Sequence, residues 1–350
     1  MFSTYKPDDV IILLKDITGL VEPLRTKERE AKIQSGVHYS EMLPLEYEPT
    51  AEYMAIYQLA LDRFSKITAD AVGAVSKQIW NDKGRDTVLV SLARAGTPIG
   101  ILIKHYIEKK YDVKIPHYTI SIIRGRGIDR NAMNYILTRH NPQKIQFVDG
   151  WTGKGAIRNV LTEALTDYPQ VAHDLAVLSD SAFAAEKCGT HEDFLIASSC
   201  LNSTVSGLLS RTFLRSDIIG ADDFHGSAFY RELINEDVTY QFIDRIEQDF
   251  DFDKKYDNFS SELTFSGFAE AEKIRNEFGI KSINFVKPGI GETTRVLLRR
   301  VPWKILVHSL NDEKNLGHIY QLAREKGVEI MEYAFENYKA CGLIKDLSDV

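Results

Sequence analysis

With 350 residues, the chain is long enough for one large or two modest domains. A hydrophobic share of 44% and a charged share of 27% exclude disordered, collagen-like and low-complexity chains. The formal charge of −7 excludes nucleic-acid binding by bulk charge, so any RNA or nucleotide contact must rest on local patches.

No apolar run approaches the ~18 residues of a membrane span. The best candidate, Val88–Ile103, is broken by Arg94, Gly96 and Pro98. The start, MFSTYKPDDV, lacks the basic and apolar blocks of a signal peptide. Three cysteines (Cys188, Cys200, Cys341) without a CxxC give no disulfide framework and no structural zinc site. A cytoplasmic protein without a membrane partner is expected. Self-association is left open.

Residues 1–50 mix short apolar runs with Pro7, Pro23, Pro44 and Pro49, and read as an extension or hood. Tyr53, Ile56, Tyr57, Ala60, Leu61, Phe64 and Ile67 recur at helical steps and predict a helix over 51–80. An alternation follows. Strands are expected at Asp86–Leu92, His117–Ile123, Lys144–Val148, Leu175–Ser179 and Phe194–Ser198. Helices are expected at Ile99–Lys109, Gly155–Leu165 and Ser203–Phe213. Strand, glycine-bearing turn and helix in repetition predict an α/β fold, a mostly parallel sheet with helices on both faces. Ligands in such sheets sit at the carboxyl ends of strands.

Residues 236–262 carry nine acids (Glu236, Asp237, Asp244, Glu247, Asp249, Asp251, Asp253, Asp257, Glu262) against three bases. They read as a linker or solvated helix face, with a domain boundary near residue 260. A small α/β unit follows. Helices are expected at Phe268–Phe278, Gly291–Leu298, Leu316–Lys326 and Asn337–Ile344, and strands at Ser282–Val286, Lys304–His308 and Val328–Tyr333.

Two loops carry the pattern of phosphate cradles. In VSLARAGTPIGILI, an apolar strand runs into Arg94, Ala95, Gly96 and Thr97 before a helix. Small residues let backbone N–H groups approach an anion, and the helix start and Arg94 add positive charge. In KIQFVDGWTGKGAI, a strand ends in Asp149, and Thr152, Gly153, Lys154 and Gly155 open a helix. The carboxylate suits ribose hydroxyls or Mg2+, and the loop suits a monophosphate. A Walker A motif is absent. Between them, Arg124 and Arg126 sit among glycines after a strand, as in cationic loops that close over anions.

The pair of loops resembles the type I phosphoribosyltransferase family over about residues 50–215. This resemblance implies that Arg94–Thr97 contact pyrophosphate, that Asp149 faces the ribose diol and that Thr152–Gly155 hold the 5′-phosphate of phosphoribosyl pyrophosphate, the implied substrate. Arg124 and Arg126 would join Asp149 in catalysis. Where that family usually has two adjacent acids, this chain has Asp149-Gly150.

A second chemistry is legible in FLIASSCLNSTVSGLLSRT. Cys200 ends an apolar run before an expected helix, where a thiol pKa can fall. In ADDFHG, His225 offers a base, with Asp222 or Asp223 to orient it, the arrangement of thiol hydrolases. The segments FSTYKPDDV, SLARAGTPIG, YTISIIRGRGID, IQFVDGWTGKGAI, SSCLNSTVSGLLSRT and DFHG resemble the bacterial StiP group, associated with tellurite-resistance and stress operons. That group joins a phosphoribosyltransferase-like domain (here 1–260) to a Pelota-type RNA-binding domain (here 261–350). It is filed both as phosphoribosyltransferase and as cysteine protease, and the second label would fall on Cys200 and His225.

VKPGIGETTRVLLRRVPWKILV is similar to the glycine loop and helix start of Pelota-type domains. The resemblance makes Lys287, Gly289, Gly291, Glu292, Thr293, Arg295 and Arg299 the candidate contacts for structured RNA, with Arg300 adding phosphate attraction. Three functions are therefore expected to compete. They are an enzyme acting on a ribose phosphate or nucleotide, a cysteine protease, and a non-catalytic RNA-binding nucleotide sensor.

Overall fold

The computed structural model describes residues 2–256 and 262–345. The expected boundary near residue 260 lies outside the described residues. The main sheet is built from strands that are apolar along their whole length, because helices cover both faces. In chain order its elements are β1 (Ile11–Ile12), α1 (Thr26–Gln34), α2 (Ala51–Lys83), β3 (Val88–Ala93), α3 (Gly96–Tyr111), β4 (His117–Ile123), β5 (Gly127–Ile128), α4 (Arg130–Leu137), β6 (Ile145–Val148), α5 (Ala156–Leu165), β7 (Leu175–Ser179) and β8 (Lys187–Thr190). A small pair outside it joins β2 (Lys15–Asp16) to β9 (Gly226–Ser227). The strand order is β1-β4-β3-β6-β7-β8, all parallel, with β5 folded back antiparallel on β4. The expected mostly parallel α/β sheet is present.

Alternation along each strand divides the core in two. Leu89, Val148 and Leu178 face α2 and α3, and Val90, Phe147 and Val177 face α4 and α5. Thr50 caps α2 by accepting from the Tyr53 N–H, and Gly84 ends it. Helix α6 (Thr239–Glu247) lies within the acidic stretch and buries Phe242, Ile243 and Ile246. Asp244 faces solvent opposite this apolar face, whereas Glu247 turns inward.

Four expectations fail for physical reasons. Ser282–Val286 is not a strand, because the Ser282 hydroxyl accepts from the Asn284 N–H and caps a turn of 3-10 helix at Ile283–Phe285, so that a strand begins only at Val286. Phe194–Ser198 is not a strand, because Phe194 packs against Phe64 of α2 and a single turn of 3-10 helix follows at Ala197–Ser199. Ser203–Phe213 is not a helix beyond one such turn at Ser203–Val205. Gly207 has φ +67 and an added Cβ would lie 2.4 Å from the Tyr5 ring, and Leu208 is also left-handed with φ 56. Asn337–Ile344 is not a helix but contains β13 (Ala340–Ile344), the paired centre of the C-terminal sheet. Short apolar runs do not distinguish the two states. The N-terminal segment is also more than an extension, since β1 supplies an edge of the main sheet.

The C-terminal unit holds α7 (Ser266–Glu277), β10 (Val286–Pro288), α8 (Ile290–Arg299), β11 (Pro302–Val307), α9 (Glu313–Glu325), β12 (Glu329–Glu332) and β13 in the sheet order β10-β13-β11-β12. It docks on the carboxyl rim of the main sheet. The buried Asp193 carboxylate accepts from the Ile290 N–H (2.9 Å), capping α8 across the junction, and from the Lys339 N–H (2.8 Å). The Tyr338 hydroxyl donates to the Gly153 carbonyl (2.6 Å). Among the described residues no helix is long and apolar enough to cross a membrane.

A charged network holds α3, α6 and the N-terminal segment together. His105 contacts Asp9 at 2.8 Å and also Glu247. Burial opposes the imidazolium, but the bonds to Asp9 and Glu247 prevail and raise its pKa to about 9. The charged form is therefore favoured by folding. Its stabilisation, at most about 3 kcal/mol, is complete below the unfolded value near pH 6.5 and fades as pH rises through about 9. Thermal unfolding of wild type and His105→Gln should converge between these limits, and parallel curves would show that His105 carries no such charge. At the junction, Asp193→Ala leaves the Ile290 and Lys339 N–H groups unpaired and should cost about 1–3 kcal/mol in denaturant unfolding. A cost below about 0.5 kcal/mol would place the hold on the C-terminal unit elsewhere.

Candidate functional site at the carboxyl rim

The two glycine bends stand side by side. Strands β3 and β6 are parallel neighbours with Ser91 opposite Val148. An added Cβ at Gly96 would lie 2.5 Å from the Val148 carbonyl oxygen, so only glycine lets the first bend reach the second. The Ala93–Arg94 peptide at this bend is cis. Asp149 ends β6 and accepts from the Gly150 N–H. Burial raises its pKa to about 7, against the opposing pull of that N–H and of Arg295.

The bends do not present the cradle that the sequence implied. Thr97 is buried and its hydroxyl meets Thr119 at 2.7 Å. The Thr152 hydroxyl donates to Asp180 (2.5 Å), and Lys154 donates to the carbonyls of Ile283 and Val286 (both 2.7 Å) in the C-terminal unit. Burial lowers the Lys154 pKa to about 8. Gly153 is held through its carbonyl by Tyr338, and Gly155 leads into α5. The second loop thus serves as a docking seat. Only a gap of about 20 Å³ remains beside Thr152, Asp193 and Gly291.

The open space lies next to it. A cavity of about 670 Å³ is walled by the hood residues Arg29 and Glu46, by Arg94 and Arg211 of the main domain, and by Lys287, Arg295, Arg299 and Arg300 of the C-terminal unit. Seven Lys/Arg side chains face it against three acids, Glu46, Glu48 and Glu292. Arg94 contacts Glu46 (3.3 Å) and donates to the Leu209 carbonyl (2.9 Å). Burial, then the charges of Arg29 and Arg94, lower the Arg211 pKa to about 10. Burial, then Arg295, lowers that of Arg299 to about 10. Buried cations that repel one another mark a site short of negative charge. Arg211 and the hood residues were not singled out from the sequence. No local motif carries them, and only the fold brings them to Arg94.

Other expected site residues lie outside this wall. Arg124 and Arg126 occupy an exposed hairpin tip, where Arg126 pairs with Glu41 and Arg124 donates to Asn284 (3.3 Å). Of the expected RNA contacts, Lys287, Glu292, Arg295 and Arg299 line the cavity, and the others pack inward. Gly291 abuts Ser199, Thr293 is fully buried, and Ile290, beside Gly289, is capped by Asp193. Arg299 donates to the Cys200 carbonyl and to Asn202.

The expected thiol pair is not assembled. Cys200 is buried and burial pushes its thiol up to about 12, overriding the opposing charge of Arg299. His225 turns its Nδ1 to Ser121 (2.8 Å), and Asp223 pairs with Lys15 (2.6 Å). A different arrangement appears on β8. The Cys188 sulfur lies 3.7 Å from His191 Nε2, whose Nδ1 meets the Asp180 carbonyl (2.7 Å) and lies 3.9 Å from the Asp180 carboxylate. Thiol, imidazole and carboxylate thus form one cluster, with an atom of each within 4.8 Å of the others. The C-x-x-H spacing of Cys188 and His191 was the available sequence signal, and it went unread.

Residues 3–247 match the family described as Tellurite-like stress resistance cysteine protease StiP, and residues 265–346 match the PELOTA RNA binding domain. A protein of Acinetobacter baylyi named Cysteine protease StiP is 36% identical, over 99% of this chain and 94% of its own length. Among solved structures, a hypoxanthine-guanine phosphoribosyltransferase of Bacillus anthracis is similar to 36% of this chain and 77% of its own, at 14% identity and a TM-score of 0.28. The hypoxanthine phosphoribosyltransferase of Trypanosoma cruzi gives 16% identity, the same coverage and a TM-score of 0.29. Likeness this low says nothing about activity. With the family match over most of its length and a Pelota-type domain at its C-terminus, the chain belongs to the StiP family.

Proposed function

We propose that the chain is an enzyme that binds a phosphorylated ribose compound, of the phosphoribosyl pyrophosphate or nucleotide type, in the rim cavity. The observation that carries this reading is the excess of arginine and lysine around about 670 Å³ of open space that reaches Arg94 at the carboxyl end of β3. Arg94 and Arg211 suit bidentate contact with pyrophosphate oxygens and stabilise charge that builds on a leaving group. Asp149, with a pKa near 7 and, among the described residues, no hydroxyl or lysine in hydrogen-bond contact, is poised to accept or return a proton beside the bend. It also offers one carboxylate to Mg2+, an ion commonly held by one or two carboxylates and substrate phosphates. Among the described residues no other acid, histidine or cysteine joins it in a three-ligand group.

Calorimetric titration with phosphoribosyl pyrophosphate and Mg2+ should show saturable binding that weakens with salt. Arg211→Gln should weaken it at least about tenfold, the loss expected of a charge-assisted phosphate contact. Absence of heat at millimolar ligand would sink the reading.

A cysteine protease is the second reading, favoured by the relative's name and by the Cys188–His191–Asp180 arrangement. The buried thiol, pushed up to about 12 by burial and the Asp180 charge, counts against it in this conformation. Iodoacetamide at neutral pH is expected to leave all three native thiols largely unmodified. Rapid labelling of Cys188 that is lost in His191→Ala would show an activated thiol and favour the protease reading instead.

A further inference from the structure

The cavity has two cationic walls from different parts of the chain. Arg94 and Arg211 stand on the main domain. Lys287, Arg295 and Arg299 stand on the C-terminal unit, at β10 and α8. Each wall carries acid of its own. Glu46 meets Arg94 at 3.3 Å, and Glu292 meets Arg295 at 3.1 Å. Both walls hold more cations than acids, and Glu46 only partly offsets the charge of Arg299 across the cavity. Arg299 is depressed by Arg94 across the cavity as well as by its neighbour Arg295. A ligand with one anionic end would satisfy one wall and leave the other repelling.

The wall is held in place independently of any ligand. Asp193 caps α8, Lys154 reaches two carbonyls beside β10, and Arg299 is anchored to the Cys200 carbonyl and Asn202. Arg295 differs from these. Its side chain is 36% exposed and it has a single acid partner, Glu292, in its own helix. A guanidinium so placed is available to a ligand without disturbing the junction.

We propose that the C-terminal unit is a functional wall of the rim cavity, with Arg295 and Lys287 binding a second anionic group of the ligand, so that the site takes ribose compounds that are anionic at two ends. This rests on the phosphorylated-ribose reading and extends it to the C-terminal unit. It also assigns small-molecule contact to side chains that the sequence had marked for RNA.

The test uses the full chain and three probes, phosphoribosyl pyrophosphate, inorganic pyrophosphate and ribose 5-phosphate, titrated calorimetrically. Wild type should bind the doubly anionic phosphoribosyl pyrophosphate at least about tenfold more tightly than either single-ended probe. Arg295→Gln should remove most of that advantage while changing the affinity for the more weakly bound probes less than threefold. Lys304→Gln, on β11 and outside the cavity lining, should leave all three unchanged. Lys287→Gln provides an independent second substitution, and circular dichroism with denaturant unfolding confirms that each variant is folded. Wild-type binding that persists undiminished in both Arg295→Gln and Lys287→Gln would overturn the proposal while leaving the phosphorylated-ribose reading intact. Failure of wild type to bind any of the three probes would overturn both.

Discussion

One carboxylate decides what the rim of this protein looks like. Asp193 leaves the main domain just after β8 and accepts hydrogen bonds from the first N–H of α8 and from Lys339 just before β13. A helix start in need of an acceptor and a buried carboxylate in need of donors satisfy each other across two domains. Burial lifts the carboxyl, the backbone N–H groups resist that lift, and the balance leaves its pKa at about 6. Because the cap fixes where α8 begins, it also fixes which way the helix faces. Val296 and Leu297 fill the unit's own core, and Arg295 and Arg299 turn toward the sheet.

That orientation changes the meaning of the glycine loop after β6. In isolation the segment is an anion cradle, with small residues, a hydroxyl and a lysine at a helix start. Here each polar group has an intramolecular partner. Thr152 is taken by Asp180, Lys154 by carbonyls near β10, and Gly153 by Tyr338. Burying an ammonium requires such partners, and two carbonyls provide them. The neighbouring cavity instead gathers seven Lys/Arg side chains against three acids. Like charges about 6 Å apart repel by about 3 kcal/mol at an effective dielectric near 20, so several arginines around one space favour whatever anion relieves them.

The fold was legible where the pattern was long and periodic. Helix α2 and strands β3, β4, β6 and β7 follow directly from their apolar spacing. The errors fall where tertiary context decides. Phe194–Ser198 has the composition of a strand but spends its side chains on α2. Asn337–Ile344 has the composition of a helix, yet its Ala340–Ile344 part is the strand between β10 and β11. Two-residue strands such as β1 exist only because β4 offers an edge. The site divides in the same way. Arg94, Asp149 and the basic residues of α8 could be named from local motifs. Arg211, Arg29 and Glu46 could not, since only folding brings three distant segments to one wall.

The cysteines show why a local signal needs its surroundings. A thiol after an apolar run, ahead of a helix start and near a downstream histidine, has the sequence attributes of a nucleophile. In the folded chain no α-helix follows Cys200, since Gly207 and Leu208 turn left-handed, so no helix dipole lowers its pKa. Arg299 is close enough to help, but it is already committed to the Cys200 carbonyl and cannot overcome desolvation. Cys188 has the better partner in His191 and the worse access, lying against Val177 and Ala185 in the sheet core. Thiol chemistry in this family member therefore requires a movement that uncovers β8. Anion chemistry at the rim requires none, because the arginines already face open space.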